Sequence, residues 1–208
     1  MSLLARFQRD INRLIDQDRN TRKRGLLKLL EELPWEAKIP QDALELQDLL
    51  KQMLPHLSSL IADSMEKCRE LSLQLLHKTV DFIEPSEMIA TCLDPLCVRI
   101  DDLPFQEPAE EIRLLIVSLF ANIISKVSPL HIPEDKLHRL IHALTVVITD
   151  SFPSVKVEAT SVLVKVMRSS SLIRMNYKEL LKNLLQNAFH QHSKVRAISL
   201  KVTHSFPN

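Results

Sequence analysis

The sequence predicts an all-α protein, an α-solenoid (superhelix) built from about five helix-turn-helix repeats, and three observations predict it. An apolar-basic pair, set just after a polar turn and opening an apolar run, occurs as Thr21-Arg22, Cys68-Arg69, Ile112-Arg113, Val155-Lys156 and Val195-Arg196. Its basic members are 47, 44, 43 and 40 residues apart. The positions 7 residues further on are Leu29, Leu76, Phe120 and Leu163, and those 11 further on are Leu33, Val80, Ile124 and Met167. Offsets of 7 and 11 share one helix face. Only the last pair departs, with Thr203 and Pro207 at those positions. Finally, Leu is abundant and β-branched alternation is scarce, which is the pattern of helices rather than strands.

A period of 40–47 residues with two helices per unit is that of HEAT or armadillo repeats. The spacing divides the chain, as a single repeat domain, into approximate units 1–35, 36–84, 85–130, 131–170 and 171–208. In unit one, Leu3, Leu4, Phe7, Ile11, Leu14 and Ile15 recur every three or four residues before the polar break 16–20. A second helix runs from about Thr21 to Leu33, where Pro34-Trp35 ends it, because proline cannot continue a helix. Unit two has Leu44, Leu46, Leu49, Leu50, Met53 and Leu54 on its first helix, with Pro55 inside the pattern as a predicted kink. Its second helix runs from about Glu66 to Phe82.

Unit three opens at Pro85-Ser86-Glu87, with Ser86 a candidate N-cap, and carries a short helix through Met88, Ile89, Cys92 and Leu93. The irregular segment 101–108 then holds Asp101, Asp102, Phe105 and two prolines before a helix from Ala109 to about Lys126. Functional residues concentrate in loops of this kind. Unit four starts at Pro133, suited to a first helical turn, with helices at about 134–149 and 154–168. Ser169-Ser170-Ser171 has linker composition, and unit five has helices at about 177–191 and 193–205. Val195, Ile198, Leu200 and Val202 give the last helix little of the polar face that caps a solenoid. The expectation is therefore the N-terminal part of a longer array.

Composition removes several function classes. Gly25 is the single glycine, and phosphate-cradling or dinucleotide-binding turns require several. With 27 Lys and Arg against 26 Asp and Glu, no global field favours nucleic acid or an anionic membrane. The basic cluster Arg19, Arg22, Lys23, Arg24 and Lys28 reads as a solvated turn and outer helix face. No apolar run reaches the length of a membrane span or a signal peptide, and three cysteines, Cys68, Cys92 and Cys97, fit a reduced intracellular compartment. The expected location is the cytoplasm. His138 and His142 share a helix face near His131, yet without an HExxH pattern, and no metal site is expected. Cys92 and Cys97 straddle an apparent helix end at Asp94-Pro95 without CxxC spacing, so both read as small buried residues. His190-Gln191-His192 occupies the last turn, where other units carry an acid.

In HEAT proteins the acid in the turn of one unit commonly meets the basic residue of its neighbour. The candidates for such a structural ladder are Asp18, Asp63 and Asp150 with Arg22, Arg69, Arg113, Lys156 and Arg196. Asp101, Asp102, Phe105, His190 and His192 are candidate partner-binding residues of the turns. Glu110-Glu111-Ile112-Arg113-Leu114, the stretch 150–156 and the stretch 190–196 resemble, in order and spacing, the N-terminal HEAT array of the dynein axonemal assembly factor 5 family. The likeness covers roughly units three to five. Ser193 stands where an aromatic residue is expected.

The resemblance implies a non-enzymatic cytoplasmic scaffold that helps to preassemble axonemal dynein arms for motile cilia. Its partners would be proteins: axonemal dynein chains, chaperones or other assembly factors. It implies no catalytic residue, cofactor, metal, nucleic acid, membrane or small-molecule substrate. The alternatives are a HEAT adaptor of nuclear transport or of a phosphatase scaffold, and a HEAT-like DNA-repair enzyme for which Asp101 and Asp102 are the pair to test.

Overall fold

The computed structural model describes residues 2–36, 40–169 and 178–203. Among them are ten α-helices and no strand: α1 (Leu3–Arg13), α2 (Arg19–Glu32), α3 (Pro40–Leu60), α4 (Glu66–Thr79), α5 (Pro85–Val98), α6 (Glu110–Lys126), α7 (Glu134–Val147), α8 (Pro153–Ser169), α9 (Lys178–Ala188) and α10 (Ser193–Thr203), with a 3-10 turn at Pro129–His131. The chain divides into two compact units, Met1–Pro95 and Leu96–Asn208. Most of the Ser169–Ser171 linker lies outside the described residues, as do Tyr177 and Pro207.

In the first compact unit α1 packs on α2 and α3, α2 on α4, and α3 on α4. Phe7, Leu26, Leu29, Leu46, Leu49, Leu50 and Met53 are completely buried there. Gly25 of α2 lies directly against α1: a Cβ on it would be 2.9 Å from Arg13 Cβ and 3.0 Å from the Asp10 carbonyl oxygen. The N-terminus of α2 is satisfied by Asp18, whose carboxylate accepts the Asn20 and Thr21 N–H groups, two of the donors that every helix start leaves unpaired. Trp35, just past α2, donates its indole N–H to the Leu30 carbonyl and sits 6.1 Å from the Phe82 ring.

Two local expectations change. Helix α5 starts at Pro85, with the Glu87 and Met88 N–H groups reaching Glu84 O, so Ser86 lies inside the first turn and is not its N-cap. Proline's fixed φ and missing N–H suit that first position. Nor does α5 end at Asp94-Pro95; it continues to Val98 with Pro95 inside it. Proline removes the N–H that would bind the carbonyl four residues back, which is that of Thr91. Ser58 of α3 supplies the substitute, its Oγ donating to Thr91 O at 2.8 Å.

In the second compact unit α6, α8 and α10 pack in sequence as one row, while α7 contacts α8 and α9, and α9 contacts α10. The repeat positions hold across both units: Leu29, Leu76, Phe120 and Leu163 are completely buried, and Leu33, Val80, Ile124 and Met167 are at most 9% exposed. Burial of each such side chain contributes about 1.5–3 kcal/mol, so these positions, rather than surface charge, hold the helix rows together.

Candidate functional site

The turns that join the two helices of each pair share one construction. Carbonyls in these turns have no helical donor, and the basic residue of the following helix turns back to supply one. Arg22 Nη1 donates to the Asp16 and Gln17 carbonyls at 2.8 and 2.9 Å. Arg113 Nη1 reaches those of Glu107 and Pro108, and Arg196 Nη1 those of His190 and Gln191. Arg69 Nη1 donates to Asp63 O at 2.9 Å.

Six residues before each base stands Asp16, Asp63, Glu107, Asp150 or His190. Each closes its turn by accepting the N–H two residues on, that of Asp18, Met65, Ala109, Phe152 or His192, at 2.7–3.2 Å. Side chains that accept in this way stabilise turns locally.

Two of these carboxylates, Asp63 and Asp150, also face a base from another helix pair. Arg22 forms a fork on Asp63, with Nε at 2.6 Å and Nη2 at 3.0 Å, and Arg113 does so on Asp150 at 2.6 and 3.1 Å. Planar guanidinium matches carboxylate in this bidentate geometry. Burial pushes the Asp63 pKa up, but the Arg22 fork, the Met65 N–H and the Arg69 charge outweigh it and hold the carboxyl below the usual range.

Asp18, at offset four rather than six, meets no base in this way; its oxygens cap α2, and Asp16 occupies its expected place. Glu107 and Asp16 escaped the sequence reading. A constant offset of six from the base, already present in Asp63 and Asp150, is the signal that identifies them.

Lys156 differs from the arginines. Only 8% exposed, its ammonium donates to Asn187 Oδ1 at 3.0 Å and Ile148 O at 3.3 Å. Burial lowers its pKa, and the Asp150 charge acts in the opposite direction. Asn187 and Asn183 also donate to the Ile148 and Thr145 carbonyls of the α7 segment. No motif marks these two residues in the sequence beyond their spacing of four on α9.

His190 holds the position of the acid in the last turn. Its Nδ1 accepts the His192 N–H, and the two imidazoles stack with centroids 5.3 Å apart. Partial burial and the charges of Lys156, His192 and Arg196 all lower its pKa. The neutral ring is therefore the native form, since an imidazolium has no acceptor left. A folded pKa below the unfolded value means that this stabilisation is complete above the ordinary histidine pKa and is lost as pH falls through the folded one. We expect thermal stability to fall between about pH 7 and 5. The variant His190→Asp keeps the acceptor and gives Lys156 a counter-charge. It should flatten that limb and add about 0.5–1 kcal/mol at neutral pH, a change that melting curves across the range will detect; identical pH profiles for the two proteins would contradict this reading.

The segment 101–108 is pinned at several points. Arg139 Nη2 donates to Asp101 Oδ2 at 2.9 Å. Glu107, completely buried, accepts from Arg99 Nη2 at 3.0 Å, and its backbone N–H donates to Arg99 O. Phe105 lies 5.0 Å from the Arg113 guanidinium, and Phe152 lies 5.7 Å from it, within cation–π range. The loop presents Asp102, Leu103 and Pro104 to solvent as one run, and Gln106 and Pro108 beyond it. Asp101 is held by Arg139, while Asp102 accepts the N–H of Leu103, so the two acids do not form a free carboxylate pair.

His131, His138 and His142 are exposed, with His138 Nε2 3.8 Å from Glu134. Among the described residues no three His, Cys, Asp or Glu side chains converge as metal ligands do. Cys68, Cys92 and Cys97 are buried, and none is in a disulfide. Burial pushes the Cys92 thiol up to about 12; since only the thiolate is a good nucleophile, Cys92 should resist maleimide labelling at neutral pH until the protein is unfolded, as counted by mass spectrometry.

A ladder of turns along paired helices defines an α-solenoid repeat protein of the armadillo and HEAT type. A family model described as dynein axonemal assembly factor 5-like, TPR repeats, matches residues 13–206, and the chain belongs to that family. It is 29% identical to dynein axonemal assembly factor 5 of Xenopus laevis over 197 residues and 28% identical to that of Mus musculus over 210, covering 94% and 96% of this chain. Those stretches span 23% and 24% of the relatives' own length.

Among solved structures, computationally designed armadillo repeat proteins for modular peptide recognition superpose with a TM-score of 0.68 at 16% identity, over 96% of this chain and 81% of theirs. The archaeal HEAT-like repeats protein from Thermococcus onnurineus NA1 does so at 0.57 and 16%, over 97% and 72%. The family's description calls its repeats TPR, whereas spacings of 40–47 residues here exceed the TPR length of about 34. No helix among the described residues is long and apolar enough to cross a membrane.

Proposed function

We propose that this chain is a non-enzymatic scaffold in the cytoplasmic preassembly of axonemal dynein arms, organised as five two-helix units. Its partners are axonemal dynein chains, chaperones or other assembly factors. The observation that carries the reading is the family match across residues 13–206. The turns are the partner-binding edge: they project Asp102, Leu103 and Pro104 in one loop and His192 in another, on bases fixed by Arg113 and Arg196.

Affinity capture from the cytosol of cells building motile cilia tests this, with the whole chain as bait and mass spectrometry as readout. Axonemal dynein chains or assembly chaperones should be enriched, and Asp102→Lys with Leu103→Ser should reduce their recovery while leaving the circular dichroism spectrum unchanged. Enrichment of nuclear-transport or phosphatase subunits instead would replace the reading with an adaptor of that kind.

A further inference from the structure

We propose that the α1–α2 end of the first compact unit is a binding site for an acidic peptide segment, recognised through carboxylate or phosphoryl oxygens. The basic cluster 19–28 is divided by the fold. Arg22 is taken by Asp63, and Lys28 pairs at 3.1 Å with Asp10, which is 1% exposed. Arg24 turns away from both and lines a cavity of about 380 Å³ with Arg9, Asn12, Arg13, Asp16 and Thr21.

Three guanidinium groups from two helices thus converge on a hollow large enough for one or two side chains. The hollow is open to solvent, with Arg9, Asn12, Asp16 and Arg24 exposed. Among the described residues no carboxylate forms an ion pair with Arg9 or Arg24. The nearby acids are already engaged. Asp16 Oδ1 accepts the Asp18 N–H, and the Asp18 oxygens accept from Asn20 and Thr21. Arg13 binds Asp10 through Nη1 and retains further donors, because a guanidinium carries five.

Three guanidinium groups face the single carboxylate of the lining, that of Asp16, so positive charge is in excess there, and an anion entering the hollow offsets it while forming charge-assisted hydrogen bonds. Clusters of arginine are the means by which acidic and phosphorylated segments are recognised. A nucleic-acid backbone fits less well. It requires a track of phosphate contacts, whereas this site is one pocket on a chain of net charge +1.

The proposal does not depend on the identity of the dynein-assembly partners, and its test needs none of them. Fluorescence anisotropy of the whole chain would compare a Glu-rich peptide of about ten residues, a neutral peptide carrying one phosphoserine, the same peptide unphosphorylated, duplex DNA and phosphatidylserine vesicles. At least one of the first two should bind, the unphosphorylated peptide should not, and raising salt from about 50 to 200 mM should weaken the complex. Arg9→Glu with Arg24→Glu should lower affinity at least about tenfold, with Arg9→Gln and Arg24→Gln as the milder variant if the first perturbs folding. Which peptide binds distinguishes a carboxylate from a phosphoryl ligand. Three results would each overturn the proposal: no acidic peptide binding by folded protein at low salt, binding untouched by both double variants, or stronger binding of DNA or vesicles at the same residues.

Discussion

Replacing Arg113 with alanine should lower the unfolding free energy of the Leu96–Asn208 unit by about 3–5 kcal/mol, the largest single-residue effect we expect in this chain. The Asp150 side chain is completely inaccessible and Arg113 is 5% exposed, so the variant leaves a buried carboxylate without its counter-ion. It also removes the donors to the Glu107 and Pro108 carbonyls and the cation beside the Phe105 and Phe152 rings. The unpaired charge, more than lost attraction, is the dominant cost. Adding Asp150→Asn to Arg113→Ala should therefore recover part of the loss, because the amide is neutral and still accepts the Phe152 N–H. Urea unfolding followed by circular dichroism measures both steps. A double variant no more stable than Arg113→Ala alone would show that the buried charge is not the cause.

Gly25→Ala should destabilise the first compact unit by about 1–2 kcal/mol, although alanine is the better helix former by about 1 kcal/mol. The sign follows from where the new methyl would lie. Its contacts at 2.9 and 3.0 Å are with Arg13 Cβ and the Asp10 carbonyl oxygen, neither of which is the mobile end of a side chain. Helix α1 must move outward, which loosens Phe7 and Ile11 from the core and disturbs Asp10 between Arg13 and Lys28. Thermal denaturation decides it, and a raised melting temperature would mean that the close approach of α1 to α2 is slack.

The helices and their buried stripe were legible because side-chain periodicity is a local property. Leu76, Phe120 and Leu163 are spaced to share a face with their bases whatever lies opposite. The distinction between Asp16 and Asp18 was not legible. Both are acids in a polar turn, and the offset of six gains its meaning only once the fold shows that Asp16 and Asp63 close their turns while Asp18 caps α2. The same holds for Ser58, whose hydroxyl is an ordinary helix residue until Pro95, 37 positions away, leaves the Thr91 carbonyl in need of a donor.

The sequence by itself determined the all-α repeat class, the order of the helices, the apolar positions and the family. Each is written in spacing along one chain or in residues shared with relatives. Tertiary structure decided which charges are used internally and which remain available to a partner. Arg22, Arg24 and Lys28 are equivalent in composition, but an ion pair forms only where a second helix brings a carboxylate within reach. Asp63 and Asp10 do that for two of them, and leave Arg24 facing the hollow beside Arg9 and Arg13.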